Sequence, residues 1–146
     1  MGTKVSEAMT ARPRCVTPDT TLKQVAEVME SEDIGAVPVL DGEQLSGMIT
    51  DRDIVIRAVA KGKNTDGMPV REIFSRDVVS IGPEDDLSDA LQLMATHQVR
   101  RLPVVDDENR LVGIVSQADV ALEAKEKHVG EMVEEISKPP EGPRQL

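Results

Sequence analysis

Apolar residues fall at helical spacing twice in the chain, as Leu22, Val25, Ala26 and Met29 and again as Leu87, Ala90, Leu91 and Met94. Each set forms one stripe along one helix face. Thr21 and Gln24 have the spacing of a capping box at the start of the first stripe, and Asp86 stands where it can cap the second. Val16 opens a short strand that stops at Thr17-Pro18, because the residue before a proline is driven away from helical geometry. Behind the first stripe come two apolar strands, Val37 to Leu40 and Leu45 to Ile49, joined by a turn holding Asp41-Gly42. Behind the second come Leu102 to Val105 and Leu111 to Val115. Pro38 and Pro103 cannot donate to a ladder, so their strands are expected to lie at an edge or begin there. A helix follows each strand pair. The first runs from about Asp51 to Ala60 and ends at Gly62; the second starts near Gln117 and continues through the charged stretch Glu123 to Lys127.

These elements are one motif written twice. Val5, Val16, Pro18, Leu22, Met29, Pro38 and Val39 return 65 positions later as Val70, Ile81, Pro83, Leu87, Met94, Pro103 and Val104. Past the turn the offset is 66, because Asp106 to Arg110 carries one residue more than its counterpart, and insertions belong in turns. Gly47, Thr50 and Asp53 therefore meet Gly113, Ser116 and Asp119. The division this gives is repeat 1 over 5–62, a turn-rich connector over 63–69, repeat 2 over 70–128 and a C-terminal segment over 129–146. That segment reads as a helical piece from Val129 to Ile136 followed by a loose proline-rich tail.

Composition narrows the function classes. At 146 residues, with 39% apolar and 30% charged residues, the chain is an ordinary globular one. A net charge of -10 opposes wrapping a nucleic-acid backbone or lying on an anionic membrane. With one Phe and no Trp or Tyr, stacking platforms for single-stranded bases are missing. No apolar run reaches the roughly 18 residues of a membrane span, and the N-terminus lacks the apolar core of a secretory signal. The cytoplasm is the expected compartment. Cys15 permits no internal disulfide and reads as a small buried or half-buried strand residue; with two distant histidines it makes no metal-ligand pattern. His97 ends the second stripe, where a C-terminal capping role is the simple reading.

The order strand, helix, strand, strand, helix, with a Pro-Val strand and a Gly-x-x-Thr/Ser-x-x-Asp ending, resembles the cystathionine beta-synthase (CBS) domain family. Two copies in tandem resemble the CBS pair, or Bateman module. The Thr50 to Arg57 run and the short length look most like small stand-alone bacterial CBS-pair proteins, a group that includes hypoxic-response proteins. The resemblance implies an α/β (α+β) fold of tandem βαββα repeats packed about a pseudo-twofold axis with two clefts between them, and a homodimer of such pairs. It also implies a non-catalytic module that binds AMP, ADP, ATP or an S-adenosyl compound and alters an unknown partner, with no required cofactor.

The residues themselves suit that chemistry. Backbone N–H groups at a helix start favour an anion. The hydroxyl of Thr50 or Ser116 can bond a phosphate oxygen, and the carboxylate of Asp53 or Asp119 can accept from two ribose hydroxyls. The same tetrapeptides are also ordinary N-capping boxes. Arg100 and Arg101 stand where the family often places phosphate contacts, and the arginine fork fits phosphate oxygens. The first copy has Gly35-Ala36 there, so Arg52 is expected to supply its charge and the clefts are expected to be unequal. One cleft, ending in Ser116 and Asp119, is expected to be lined by Ile34, Gly35, Ile114 and the backbone near Ala11 to Pro13. The other, ending in Thr50, Arg52 and Asp53, is expected to be lined by Met48, Val99 and the backbone near Arg76 to Val78. Core packing is the alternative for Ile34, Met48, Val99 and Ile114. A ligand-independent dimeric scaffold is the competing function. No nucleophile, catalytic carboxylate or Gly-rich phosphate loop points to an enzyme.

Overall fold

The structure is a computed structural model that describes residues 2–128. The expected C-terminal helical piece and tail lie outside the described residues. A short helix α1 (Val5–Ala8) and strand β1 (Thr10–Ala11) lead into helix α2 (Leu22–Glu32), strands β2 (Ala36–Asp41) and β3 (Gln44–Thr50) and helix α3 (Asp51–Ile54). The second repeat supplies helix α4 (Leu87–His97), strands β4 (Arg101–Val105) and β5 (Leu111–Ser116) and helix α5 (Gln117–His128).

The first stripe forms as its spacing predicts: Leu22, Val25 and Met29 are buried along α2. The Thr21 hydroxyl accepts from the Gln24 N–H while the Gln24 side chain accepts from the Thr21 N–H. Helix α4 buries Leu87, Ala90 and Met94, and Leu91 stays exposed. Asp86 takes the N-cap position of α4, yet its side chain makes no capping hydrogen bond. Nor is His97 the C-terminal cap. That position falls to Gln98, whose left-handed backbone (φ 55°) closes α4 as Asp33 (φ 54°) closes α2.

Strands β2 and β3 pair antiparallel with Pro38 opposite Met48, and β4 and β5 pair with Pro103 opposite Ile114. The Pro38 carbonyl accepts from Val16 N–H and the Pro103 carbonyl from Ile81 N–H. A strand residue's N–H and C=O point to the same side, so the donor each proline lacks would face a neighbour that contributes only a single-residue bridge. That is how a proline survives beside a paired strand.

The written repeat and the packed unit are offset. Val70, Ile73 and Phe74 are buried with Val16, Leu22, Val37, Val39 and Ile49 of the first repeat. Val5, with Ala8 and Met9, packs with Ile81, Leu102, Val104 and Val115 of the second. Each repeat thus sends its leading residues into the other's core. Backbone bonds tie the exchange: Val5 N–H donates to Asp85 C=O, and Val70 N–H to Thr20 C=O. At the surface, the Lys4 ammonium meets Glu84 at 2.7 Å, and that hydrogen bond raises its pKa. The leaders then run beside the last strand of the repeat they join, Thr10 opposite Ile114 and Ser75 opposite Met48. Such an approach needs glycine. A Cβ on Gly47 would collide with the Ser75 carbonyl oxygen and lie 2.8 Å from the Phe74 ring; one on Gly113 would lie 2.9 Å from the Thr10 carbonyl oxygen.

The turn with the extra residue also joins the repeats. Leu45 N–H donates to Asn109 C=O, the Asn109 amide donates to Leu45 C=O, and the Gln44 amide donates to Glu108 C=O. The turn is shaped by Asp106, which accepts from the backbone N–H groups of Glu108 and Arg110 and from the Arg110 guanidinium. The Arg110 backbone bond chiefly lowers the Asp106 pKa.

Two expectations follow. Gly47→Ala overpacks a backbone contact and is expected to lower unfolding free energy by about 1–3 kcal/mol, read from urea denaturation. Because the Asp106 pKa is depressed on folding, its contribution is present above the ordinary carboxylate value of 3.8 and is lost as pH falls through the lower folded value. The melting temperature of Asp106→Asn should therefore lie below wild type at neutral pH and converge on it under acid.

Candidate functional site

Each repeat ends in the same joint, a strand passing into a helix at a hydroxyl residue. Thr50 has extended backbone (φ -116°, ψ 161°) and turns the chain into α3. Its hydroxyl accepts from the Asp53 N–H at 3.0 Å, and an Asp53 carboxylate oxygen accepts from the Thr50 N–H at 3.0 Å. Ser116 and Asp119 repeat this at 3.1 and 3.0 Å. Both pairs are thus reciprocal capping boxes, as their spacing allows. Capping uses one oxygen of each carboxylate. The next residue anchors the joint to the start of its hairpin: Asp51 N–H donates to Gly35 C=O, and Gln117 N–H to Arg100 C=O.

The strand ladders bring further expected residues to the joints. Ser116 lies directly opposite Arg101, and Thr50 directly opposite Ala36. Ile114 stands between Pro103 and Thr10, half-buried, which puts it next to the leader near Ala11. Met48 is buried and paired with Ser75, next to Arg76. Ile34 packs against the first core, whereas Val99 is exposed. Gly35 lies under the Asp51 carboxylate, 3.0 Å from where its Cβ would be. Arg52 is exposed and forms no ion pair among the described residues.

One residue beside the first joint was not singled out by its sequence context. Arg57, one helical turn past Asp53, points its Nε at the second Asp53 oxygen at 3.8 Å. It also donates to the Ile73 carbonyl at 2.8 Å and approaches the Ser75 hydroxyl at 3.4 Å, so it bridges the helix to the exchanged leader. The signal available was the Asp-to-Arg spacing of four along a helix. The helix itself departs from expectation here. After Ile54 the expected run to Ala60 becomes a π-helical turn, Val55–Val59, closed by Ala60 N–H on Val55 C=O at 2.8 Å. It buries Ala58 and leaves Val55, Ile56 and Val59 exposed.

An open depression of about 360 Å³ lies beside this turn, lined by Arg57, Lys61, Lys63, Glu72, Ile73 and Phe74. None of the residues expected at a nucleotide cleft lines it. Its Phe74 ring carries the Arg76 guanidinium 4.8 Å from its centroid. Among the described residues no cluster of three or more His, Cys, Asp or Glu side chains could hold a metal ion, and no helix is long and apolar enough to cross a membrane.

Residues 5–59 and 70–126 each match the family described as CBS domain. The chain is 46% identical over 119 residues to the CBS domain-containing protein YhcV of Bacillus subtilis, covering 81% of this chain and 83% of that one. It is 37% identical over 138 residues to hypoxic response protein 1 of Mycobacterium tuberculosis, covering 94% and 96%. Among solved structures, a Hypoxic Response Protein I with two coordinated zinc ions superimposes with a TM-score of 0.76 at 38% identity, over 82% of this chain and 98% of that one. The CBS domain pair of MJ0100 with 5-methylthioadenosine and S-adenosyl-L-methionine gives 0.76 at 25% identity, over 87% and 99%. CBSX2 with AMP gives 0.76 at 26% identity, over 86% and 98%.

Removing the Ser116 hydroxyl tests the capping half of the joint. Ser116→Ala should cost about 1 kcal/mol of stability in urea denaturation without any ligand present.

Proposed function

The chain belongs to the CBS domain family, and on that premise we propose that it is a non-catalytic regulatory module whose repeats bind an adenosine nucleotide and modulate a partner. AMP, ADP and ATP are the proposed ligands, with S-adenosyl compounds as the neighbouring class. The carrying observation is the pair of joints in which a hydroxyl and a carboxylate sit at a helix start. One carboxylate oxygen caps the backbone, and the other side of the same group can accept ribose hydroxyls. The helix start and an arginine would receive the phosphate. The residues proposed to hold the ligand are Ser116, Asp119, Arg100, Arg101, Ile114, Ile34 and Gly35 at one cleft. At the other they are Thr50, Asp53, Arg52, Met48 and Val99. Support also comes from the two structural neighbours that hold AMP and S-adenosyl-L-methionine. Ligand that binds one arrangement of the repeats better than another would shift their packing, and so reach a partner. The proposed compartment is the cytoplasm.

A second reading has its own observation. Val55, Ile56 and Val59 along one helix, with Leu91 and Leu122, are large apolar side chains left exposed. They favour a homodimer, and a scaffold that needs no ligand.

A thermal-shift panel with AMP, ADP, ATP, adenosine and S-adenosylmethionine separates the two. Saturation at about 100 times the dissociation constant should add about 2.7 kcal/mol of stability, and Asp119→Ala should reduce the shift. A flat panel, with sizing unchanged on removal of nucleotide, supports the scaffold.

A further inference from the structure

The two joints share a motif and a capping geometry, but their surroundings differ in three ways that all bear on a nucleotide. Opposite Ser116 on the neighbouring strand stands Arg101; opposite Thr50 stands Ala36, which is buried. Directly opposed residues of an antiparallel pair project to the same face, so a guanidinium shares the face of the Ser116 hydroxyl, whereas the residue opposed to Thr50 carries no charge. Arg101 forms no ion pair among the described residues.

The carboxylates differ as well. Asp119 spends one oxygen on the Ser116 N–H, and its other oxygen accepts no hydrogen bond among the described residues. Asp53 spends one oxygen on the Thr50 N–H and turns the other toward Arg57. The Asp53 side chain is only 14% exposed, so that pair is partly withdrawn from water, and Arg57 is held there by the Ile73 carbonyl. In the second repeat the residue one turn past Asp119 is Glu123, which cannot make such a pair.

We infer that the clefts are not equivalent: the Ser116–Asp119 end is the one built for an adenosine nucleotide, and at the Thr50–Asp53 end Arg57 occupies the carboxylate a ribose would need. Arg57 is thus a specificity-determining residue that subordinates the first cleft. The inference rests on the nucleotide reading above and deepens it, assigning unequal affinity to two copies of one motif.

Calorimetric titration of the full chain with AMP tests it, with urea midpoints to establish that every variant folds. Wild type is expected to take up one tight equivalent per chain. Asp119→Asn and Arg101→Gln should each weaken that equivalent by about tenfold or more, since each removes a charged hydrogen-bond partner. Asp53→Asn should weaken it far less. Glu123→Arg, which places an arginine one turn past Asp119 as Arg57 stands past Asp53, should weaken it about threefold. Arg57→Gln keeps a donor for the Ile73 carbonyl and should tighten uptake of a second equivalent. Two equal equivalents in wild type, a larger loss from Asp53→Asn than from Asp119→Asn, or tighter binding by Glu123→Arg would overturn the inference and leave the nucleotide reading standing. No uptake of any adenosine compound by wild type would remove both.

Discussion

The arrangement depends on two places where backbone lies directly on backbone, Ser75 against Gly47 and Thr10 against Gly113. At each, a leader segment from one repeat is laid along the last strand of the other. Only a residue without a Cβ admits that approach. The contact does more than add a strand. It carries Val70 and Phe74 into the first core and Val5 into the second, so neither core is complete without residues written in the other repeat. Small units of this size bury too little surface to be comfortable alone, and the exchange lets the two halves share what each lacks.

The same contact sets the position of the two strand-to-helix joints. Gly47 and Gly113 lie three residues before Thr50 and Ser116, so the strand pinned by the leader is the strand that delivers the hydroxyl. Capping then fixes the hydroxyl and the carboxylate relative to one another. A group held through both its backbone and its side chain is preorganised, and preorganisation would lower the ordering cost of the proposed binding. Capping thus leaves each carboxylate an oxygen beyond the one its cap uses, and at Asp53 that oxygen faces Arg57.

Repetition of a motif does not bring identical surroundings. Arg57 and Glu123 occupy matching places in the two repeats with opposite charge, and Ala36 and Arg101 face the two hydroxyls. The first repeat's last helix passes into a π-helical turn, and its Arg57 bridges to the leader that the second repeat contributes. The one-residue insertion in the second repeat has likewise gone into a turn that binds the first, through Asn109 and Gln44.

Periodicity alone determined the helices at Leu22 and Leu87, the paired strands about Pro38 and Pro103, and the doubling of the whole motif, because each is a local pattern repeated with the same spacing. The Thr50 and Ser116 caps were legible too, since a capping box is complete within four residues. Which leader joins which core, why Gly47 and Gly113 cannot carry a side chain, that Gln98 rather than His97 closes its helix, and that Arg57 reaches Asp53 and Ile73 at once were decided by tertiary structure. Apart from the four-residue Asp53–Arg57 spacing, those contacts join residues far apart in the chain or turn on a single backbone angle, and neither leaves a periodic trace in the order of amino acids.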